Sequence, residues 1–471
     1  MKNNISLKFF EIENDKKLLD FETYDGVPIW MISRWYLLYN VVGEKLLEFE
    51  SIKRKRKANL DMVKFTMKAG LHNVKKRQSA RDIILYSTNR KTFVDNRYFN
   101  RYVDQMYNIY EKDTLVIEQA TIEWDWPFPR TSHNVCFDTV GRVFGEAASR
   151  VFYKRDLNEV RKMVKYFFDR VQNITGICIE NSELAQIEIH LAKFIAAQRF
   201  QAKWLEKQLS HDTKIVITVG AGFPYYYFIN KMLKERNVIS AELQHGYITR
   251  SNIMYNYADA IVNDSRVKYG LPNFILTYGN WWNEQMNCPI EKIAIGNPYR
   301  MLSINEIKHV STNNKNIVIC GIGEDTEKYI ELTYELSKRL SDYNIVFRPH
   351  PGEKDIAKRI LANKGYSIMF DVNIDIYETL SNFGIVIGEV STVLFEALGI
   401  VNSVILWDTE YSRTYLPDHP FKTFKNVEQL EKIIHTESNN DSIDGKMFWS
   451  ENWEKNYKCF INKILYEKAT I

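Results

Sequence analysis

Three short segments of this chain carry residue types suited to handling phosphate and protons. Arg348-Pro349-His350-Pro351 follows directly on the apolar run Asn344-Ile345-Val346-Phe347. An arginine offers a planar fork of donors to phosphate, and a histidine can give a proton or hydrogen bond to a departing one. Gly388-Glu389-Val390-Ser391-Thr392 lies between the strand-like Gly384-Ile385-Val386-Ile387 and a helical run at 393–398. Hydroxyl residues at such a junction cap the helix and leave backbone N–H groups facing an anion. Gln244-His245-Gly246 ends a third apolar run, where glycine lets the chain turn sharply. Each segment also has a plain reading, as a strand-end turn or a helix cap. A histidine between glutamine and glycine is a poor core residue, which favours function for His245.

The elements that must hold these residues alternate strand and helix. A β-branched run stopped by prolines is a buried strand that ends abruptly, so Arg348 and His350 are expected at the carboxyl end of a sheet, where open α/β sheets bind ligands. Residues 83–86, 114–118, 214–219, 238–243, 258–262 and 274–277 read as strands of a first series. Helices are expected over 156–171, 182–208 and 225–235, where apolar residues recur at helical intervals. A second series follows at 317–320, 345–347, 385–387 and 403–406, with helices over 325–340 and 355–364. The polar stretch 311–316 reads as a linker, and Gly296 to Asn316 as the hinge. Gly321-Ile322-Gly323 lacks the third glycine of a dinucleotide fingerprint.

These patterns predict an α/β protein of two Rossmann-like domains facing a cleft. Residues 1–80 form a helical extension, 81–300 a first, acceptor domain, 301–450 a second, donor domain, and 451–471 a helix packing back on the first. Residues 28–42 read as an apolar, aromatic helix, followed by basic runs at 53–57 and 75–77. Such a helix suits an anionic membrane surface or packing on the next domain. Apolar residues nearly all round favour packing.

The order Gln-His-Gly (Gln244, His245, Gly246), Gly-Asn-Pro (Gly296, Asn297, Pro298), Arg-Pro-His-Pro and Ser391-Thr392 resembles bacterial capsule and surface-polysaccharide glycosyltransferases of the two-Rossmann, or GT-B, type. It is similar to the groups using CMP-activated sugar acids such as sialic acid and Kdo, and to the CDP-glycerol glycerophosphotransferases. Asp25-Gly26-Val27-Pro28-Ile29-Trp30 extends the resemblance weakly to the start of the chain. Thr392 stands where the sialyltransferase pattern has a second serine, and the acidic-acidic-glycine signature of some sialyltransferases is missing.

The resemblance implies nucleotide-phosphate and ribose contacts for His350, Ser391 and Thr392. Gly321, Gly323, Arg348, Glu389 and Glu396 complete the expected donor site. His245 is the candidate base, with Glu118 and Asp125 as carboxylate rivals. Trp124, Trp126 and Gln244 are the expected acceptor contacts. No Asp-x-Asp motif stands in a convincing loop, so phosphate stabilisation is expected from helix N-termini, Arg348 and His350 without metal or cofactor. The expected partners are a nucleotide sugar, favoured as CMP-linked, and a glycan or lipid-linked glycan acceptor at the inner face of the membrane. A nucleotide-sugar 2-epimerase and a non-catalytic capsule-assembly protein are the alternatives from other classes.

Composition sets bounds on all of this. With 471 residues, 45% hydrophobic and 14% aromatic, the chain can fill two cores. A net charge of +4 gives no case for nucleic acid. Five scattered cysteines form no Cys-x-x-Cys pair, so neither a disulfide framework nor a zinc site is indicated. Neither a signal peptide nor an apolar run of membrane-spanning length is legible, and a cytoplasmic location is expected.

Overall fold

The computed structural model describes residues 5–47, 60–76, 81–88, 91–94, 96–121, 124–220, 226–307, 315–323, 325–350, 352–371, 373, 375–436 and 443–466. The basic run at 53–57, Arg77, Glu123, Gly222, most of the linker at 311–316 and Pro351 lie outside them.

The first sheet contains β1 (Ile83–Ser87), β4 (Thr114–Glu118), β5 (Val135–Phe137), β6 (Ile215–Val219), β7 (Ile239–Leu243), β8 (Phe274–Thr277) and β9 (Glu291–Ala294); β2 (Lys91–Val94) and β3 (Arg97–Asn100) make a separate hairpin. All seven strands are parallel, in the order β5-β4-β1-β6-β7-β8-β9. The second sheet holds β10 (Asn316–Cys320), β11 (Asn344–Arg348), β12 (Met369–Phe370), β13 (Ile385–Gly388), β14 (Ser403–Trp407) and β15 (Lys422–Phe424). It is also parallel, in the order β12-β11-β10-β13-β14-β15. Two doubly wound α/β domains therefore follow one another, the arrangement of the GT-B fold.

The strands are continuous apolar runs because both faces of a parallel sheet are covered. In β1 the alternation sends Ile84 and Tyr86 into one core and Ile83 and Leu85 into the other. The helix Trp453–Tyr466 closes that second core. Its Tyr457, Phe460 and Ile461 pack with β1, β6 and β8, so the end of the chain returns to the first sheet.

Residues 258–262 are not a strand. Asp259–Val262 is a short helix, and β8 occupies the place beside β7. Four apolar residues around Asp259 are too few for periodicity to separate the two states.

The aromatic segment near the start folds as the helix Ile29–Trp35 running into a π-helical stretch, Tyr36–Gly43. It is interior and does not lie on a membrane surface. Arg34 is buried against the Glu13 carboxylate, with Nε–Oε1 at 2.6 Å and Nη2–Oε2 at 2.8 Å, and Trp30 Nε1 donates to the same carboxylate. Among the described residues no helix is long and apolar enough to cross a membrane.

Candidate active site

The second sheet reverses its strand order at β10, between β11 and β13, so loops leaving these three strands border a crevice. Gly321-Ile322-Gly323 leaves β10, His350 follows β11, and Glu389 to Thr392 follows β13. The glycines are dictated by close packing. Gly323 has φ +92°, and a Cβ there would stand 3.0 Å from His350 Nδ1. One on Gly321 would collide with Glu353 Oε1. Glu353 is buried and accepts the His350 backbone N–H at 2.6 Å and the Thr326 hydroxyl at 2.7 Å. Burial raises its pKa above the ordinary value. His350 Nδ1 accepts from the Gly352 N–H at 3.2 Å, which puts the proton of the neutral ring on Nε2. The imidazole itself is exposed.

Other expected donor contacts have different occupations. Arg348 Nη1 is bonded to the Asp371 carboxylate, to Thr379 Oγ1 at 2.6 Å and to the Asn373 carbonyl at 3.2 Å. Asp371 follows β12, so Arg348 ties the end of β11 to the neighbouring edge strand. Glu389 is fully buried; the Tyr329 hydroxyl donates to it at 2.5 Å, Lys328 lies at 3.0 Å, and the Thr409 hydroxyl also donates. It braces β13 against neighbouring elements and is closed to a ribose. Glu396 remains half-buried, taking a hydrogen bond from Tyr377 at 3.3 Å. Burial raises its pKa, opposed by Arg101 and Arg300.

Ser391 caps the short helix Thr392–Glu396 by accepting the Val393 N–H at 3.2 Å. The Thr392 hydroxyl reaches the other domain and accepts the Tyr247 N–H at 3.1 Å. A Cβ on Gly246 would lie 3.7 Å from that hydroxyl oxygen. The His245 loop and the Ser391-Thr392 turn are therefore in contact. Gln244 is buried inside this loop. Its amide donates to the Gly246 carbonyl and its oxygen accepts the Tyr278 N–H, both at 2.8 Å. It shapes the turn that presents His245 and is not an acceptor contact. The Tyr102 hydroxyl holds the His245 carbonyl at 3.2 Å.

Glu118 is not available as a base. It lies fully buried at the end of β4, bonded by Arg130 Nη2 at 3.0 Å and Asn100 Nδ2 at 2.7 Å, with Lys91 Nζ at 3.3 Å. Burial pushes its pKa up, but Lys91 and Arg130 outweigh this and hold it below the ordinary value. Asp104 completes the cluster and, raised mainly by burial, reaches a pKa of about 6. Asp125 stays exposed on its loop. Trp126 is packing: its ring lies 5.1 Å from Phe137 and 5.2 Å from Phe128. Trp124, at φ +64°, lines a cavity of about 460 Å³ with Asp138, Arg142 and Gln201.

Sequence reasoning missed Glu353, whose signal was its place three residues after His350. It also missed the grip of the hinge on the second domain. Asn297 caps the helix Pro298–Glu306, the Tyr299 hydroxyl donates to Asp375, and Arg300 donates to the Leu398 carbonyl at 2.6 Å. Among the described residues no three or more His, Cys, Asp or Glu side chains are grouped to hold a metal ion.

No protein-family model and no curated protein matches this chain. Solved structures similar to it include the UDP-N-acetylglucosamine 2-epimerase of Neisseria meningitidis bound to UDP-GlcNAc, at 11% identity and TM-score 0.44, covering 81% of this chain and 99% of that one. The wall teichoic acid polymerase TagF is 12% identical with TM-score 0.43, covering 87% and 98%. TarM is 12% identical with TM-score 0.39, covering 82% and 97%. At such scores the likeness adds nothing to the fold that the two sheets establish by themselves.

Proposed function

We propose that this chain is a glycosyltransferase, moving a sugar from a nucleotide donor to a hydroxyl of a growing surface glycan. One observation carries the reading: the His245 loop of the first domain touches the Ser391-Thr392 turn of the second through the Tyr247–Thr392 hydrogen bond. A histidine from the first domain thus stands beside a helix N-terminus and hydroxyl pair at the crevice of the second. In the transfer, the bond from the anomeric carbon to the phosphate oxygen breaks and its electron pair leaves with the nucleotide. The acceptor oxygen bonds that carbon and gives its proton to a base, for which His245 is the candidate and Asp125 the rival. His350, protonated on Nε2, supplies a hydrogen bond or proton to the leaving phosphate. Gly321 and Gly323, where Glu353 and His350 occupy the room of a side chain, offer only their backbone to the nucleotide, and Trp124 is the remaining tryptophan for an acceptor sugar.

The donor we favour is a CMP-linked sugar acid, on the resemblance of the His-Pro and Ser-Thr segments. A single leaving phosphate asks for few donors, and His350 with the Ser391-Thr392 turn supplies them. Nucleotide-activated sugars are made in the cytoplasm, so transfer is assigned there. Isothermal titration with CMP, CDP, UDP and GDP tests the donor. Tighter binding of UDP or GDP than of the cytidine nucleotides overturns it, and tightest binding of CDP favours a CDP-glycerol donor. His350→Ala is expected to cut turnover by about two to four orders of magnitude. A folded variant with unchanged turnover removes His350 from the mechanism. Modified nucleotide sugar formed without any acceptor would favour an epimerase.

A further inference from the structure

The helix Leu60–Lys76 presents a face that nothing described in the protein covers. Its opposite side is tightly docked. Phe65 and Ala69 are buried, and Asn73 clamps the end of β5 by donating to the Phe137 carbonyl at 2.7 Å and accepting its N–H at 2.9 Å. With that side fixed, Leu60, Val63, Met67, Leu71 and Val74 project outward, each between 48% and 76% exposed. Their spacing of three, four, four and three residues places all five along one stripe. At 1.5 Å per residue the stripe is about 21 Å long. The adjoining helix Thr139–Phe152, whose Val140 meets Gly70, adds Phe144 and Val151, each 68% exposed. Single exposed apolar residues are ordinary, whereas an ordered row of this length marks a contact surface.

Charge selects the occupant. The helix carries four lysines (Lys64, Lys68, Lys75 and Lys76) against one acidic residue, Asp61. Lys64 and Lys68 fall on one flank of the stripe by helical periodicity. In the sequence, five consecutive basic residues at 53–57 stand just before the helix. A narrow apolar ridge with a cationic flank is the pattern of a helix lying in the interface of an anionic bilayer. A second copy would bring like charges together along the same ridge. We propose that the Leu60–Lys76 helix docks this protein on a membrane surface bearing anionic headgroups. The membrane contact first considered for residues 28–42 is thereby assigned to a different helix. The inference rests on this surface alone and stands apart from the transfer reaction.

Co-sedimentation of the full chain with vesicles tests it, comparing phosphatidylcholine alone with phosphatidylcholine containing phosphatidylglycerol. Wild type is expected to bind the mixed vesicles and to be released by salt. Met67→Glu/Leu71→Glu, two exposed positions, is expected to lose at least about tenfold in binding with an unchanged melting temperature. Lys64→Glu, a reversal of two charge units, is expected to lose about tenfold on the mixed vesicles only. Undiminished binding by the double variant overturns the proposal. Equal binding to both vesicle types overturns the anionic assignment. A wild-type dimer in solution that Met67→Glu/Leu71→Glu dissociates, with no vesicle binding by either protein, shows the stripe to be a self-association surface instead.

Discussion

Replacing Glu118 by glutamine keeps the shape of the side chain and removes its charge. In the folded protein Arg130 and Lys91, both with side chains at most 1% exposed, would then lose the carboxylate they share, which leaves Arg130 paired with Asp104 and Lys91 without its paired charge. The buried cluster would pass from two cations and two anions to two cations and one anion. Leaving a buried charge without its partner costs about 3–5 kcal/mol. For a domain of roughly 200 residues each kcal/mol moves the melting temperature by about 2–4 °C, so Glu118→Gln should melt about 6–20 °C below wild type. The double variant Glu118→Gln/Lys91→Met restores neutrality and should recover most of that loss. Differential scanning calorimetry on the three proteins reads both effects. A single variant that melts with wild type but transfers no sugar would refute the cluster reasoning and return Glu118 to the list of bases.

Two further outcomes follow from the same contacts. Thr392→Val leaves the Tyr247 N–H without its acceptor, a cost of about 1–2 kcal/mol, so nucleotide affinity by titration should fall about tenfold while Thr392→Ser stays near wild type; equal affinity for the valine variant would separate the two loops functionally. The Asp104 carboxyl has its folded pKa raised from 3.8 to about 6, so its contribution favours the fold at low pH and is lost as pH rises through about 6. Urea unfolding at about pH 4.5 and about pH 7 should show wild type losing stability relative to Asp104→Asn as pH rises, and a difference that stays level or widens in favour of wild type would contradict the assignment.

The inner strands of both sheets were legible because parallel sheets bury both faces and so write themselves as unbroken apolar runs, as in Ile345-Val346-Phe347, whereas the short edge strands β5, β9, β12 and β15 were missed. The hairpin of β2 and β3 was not, since Lys91-Thr92-Phe93-Val94 and Arg97-Tyr98-Phe99-Asn100 pair with each other outside both sheets. In the site, His245, His350 and Thr392 were found as residue types, and the contact joining Thr392 to Tyr247 spans 145 positions that no local pattern connects. Arg348, Glu389 and Gln244 show the opposite limit. An arginine, a glutamate or a glutamine at a strand end has the same signature whether it binds a ligand or braces a loop. Only its partners, here Asp371, Lys328 and Tyr278, tell the two apart.

The return of the Trp453–Tyr466 helix to the first sheet has a consequence for synthesis of the protein. Phe460 packs against Phe274 with ring centroids 5.4 Å apart, and the Tyr110 hydroxyl bonds Asn462 at 2.8 Å. The face of the first sheet that receives this helix is translated long before the helix leaves the ribosome. Until then that apolar face is open to solvent or to chaperones, and the first domain cannot reach its final stability on its own. The two halves are therefore not independent modules threaded on one chain. Truncation near the carboxyl terminus should injure the domain most distant from it in sequence, and nascent chains stalled before residue 453 should be aggregation-prone through their amino-terminal half.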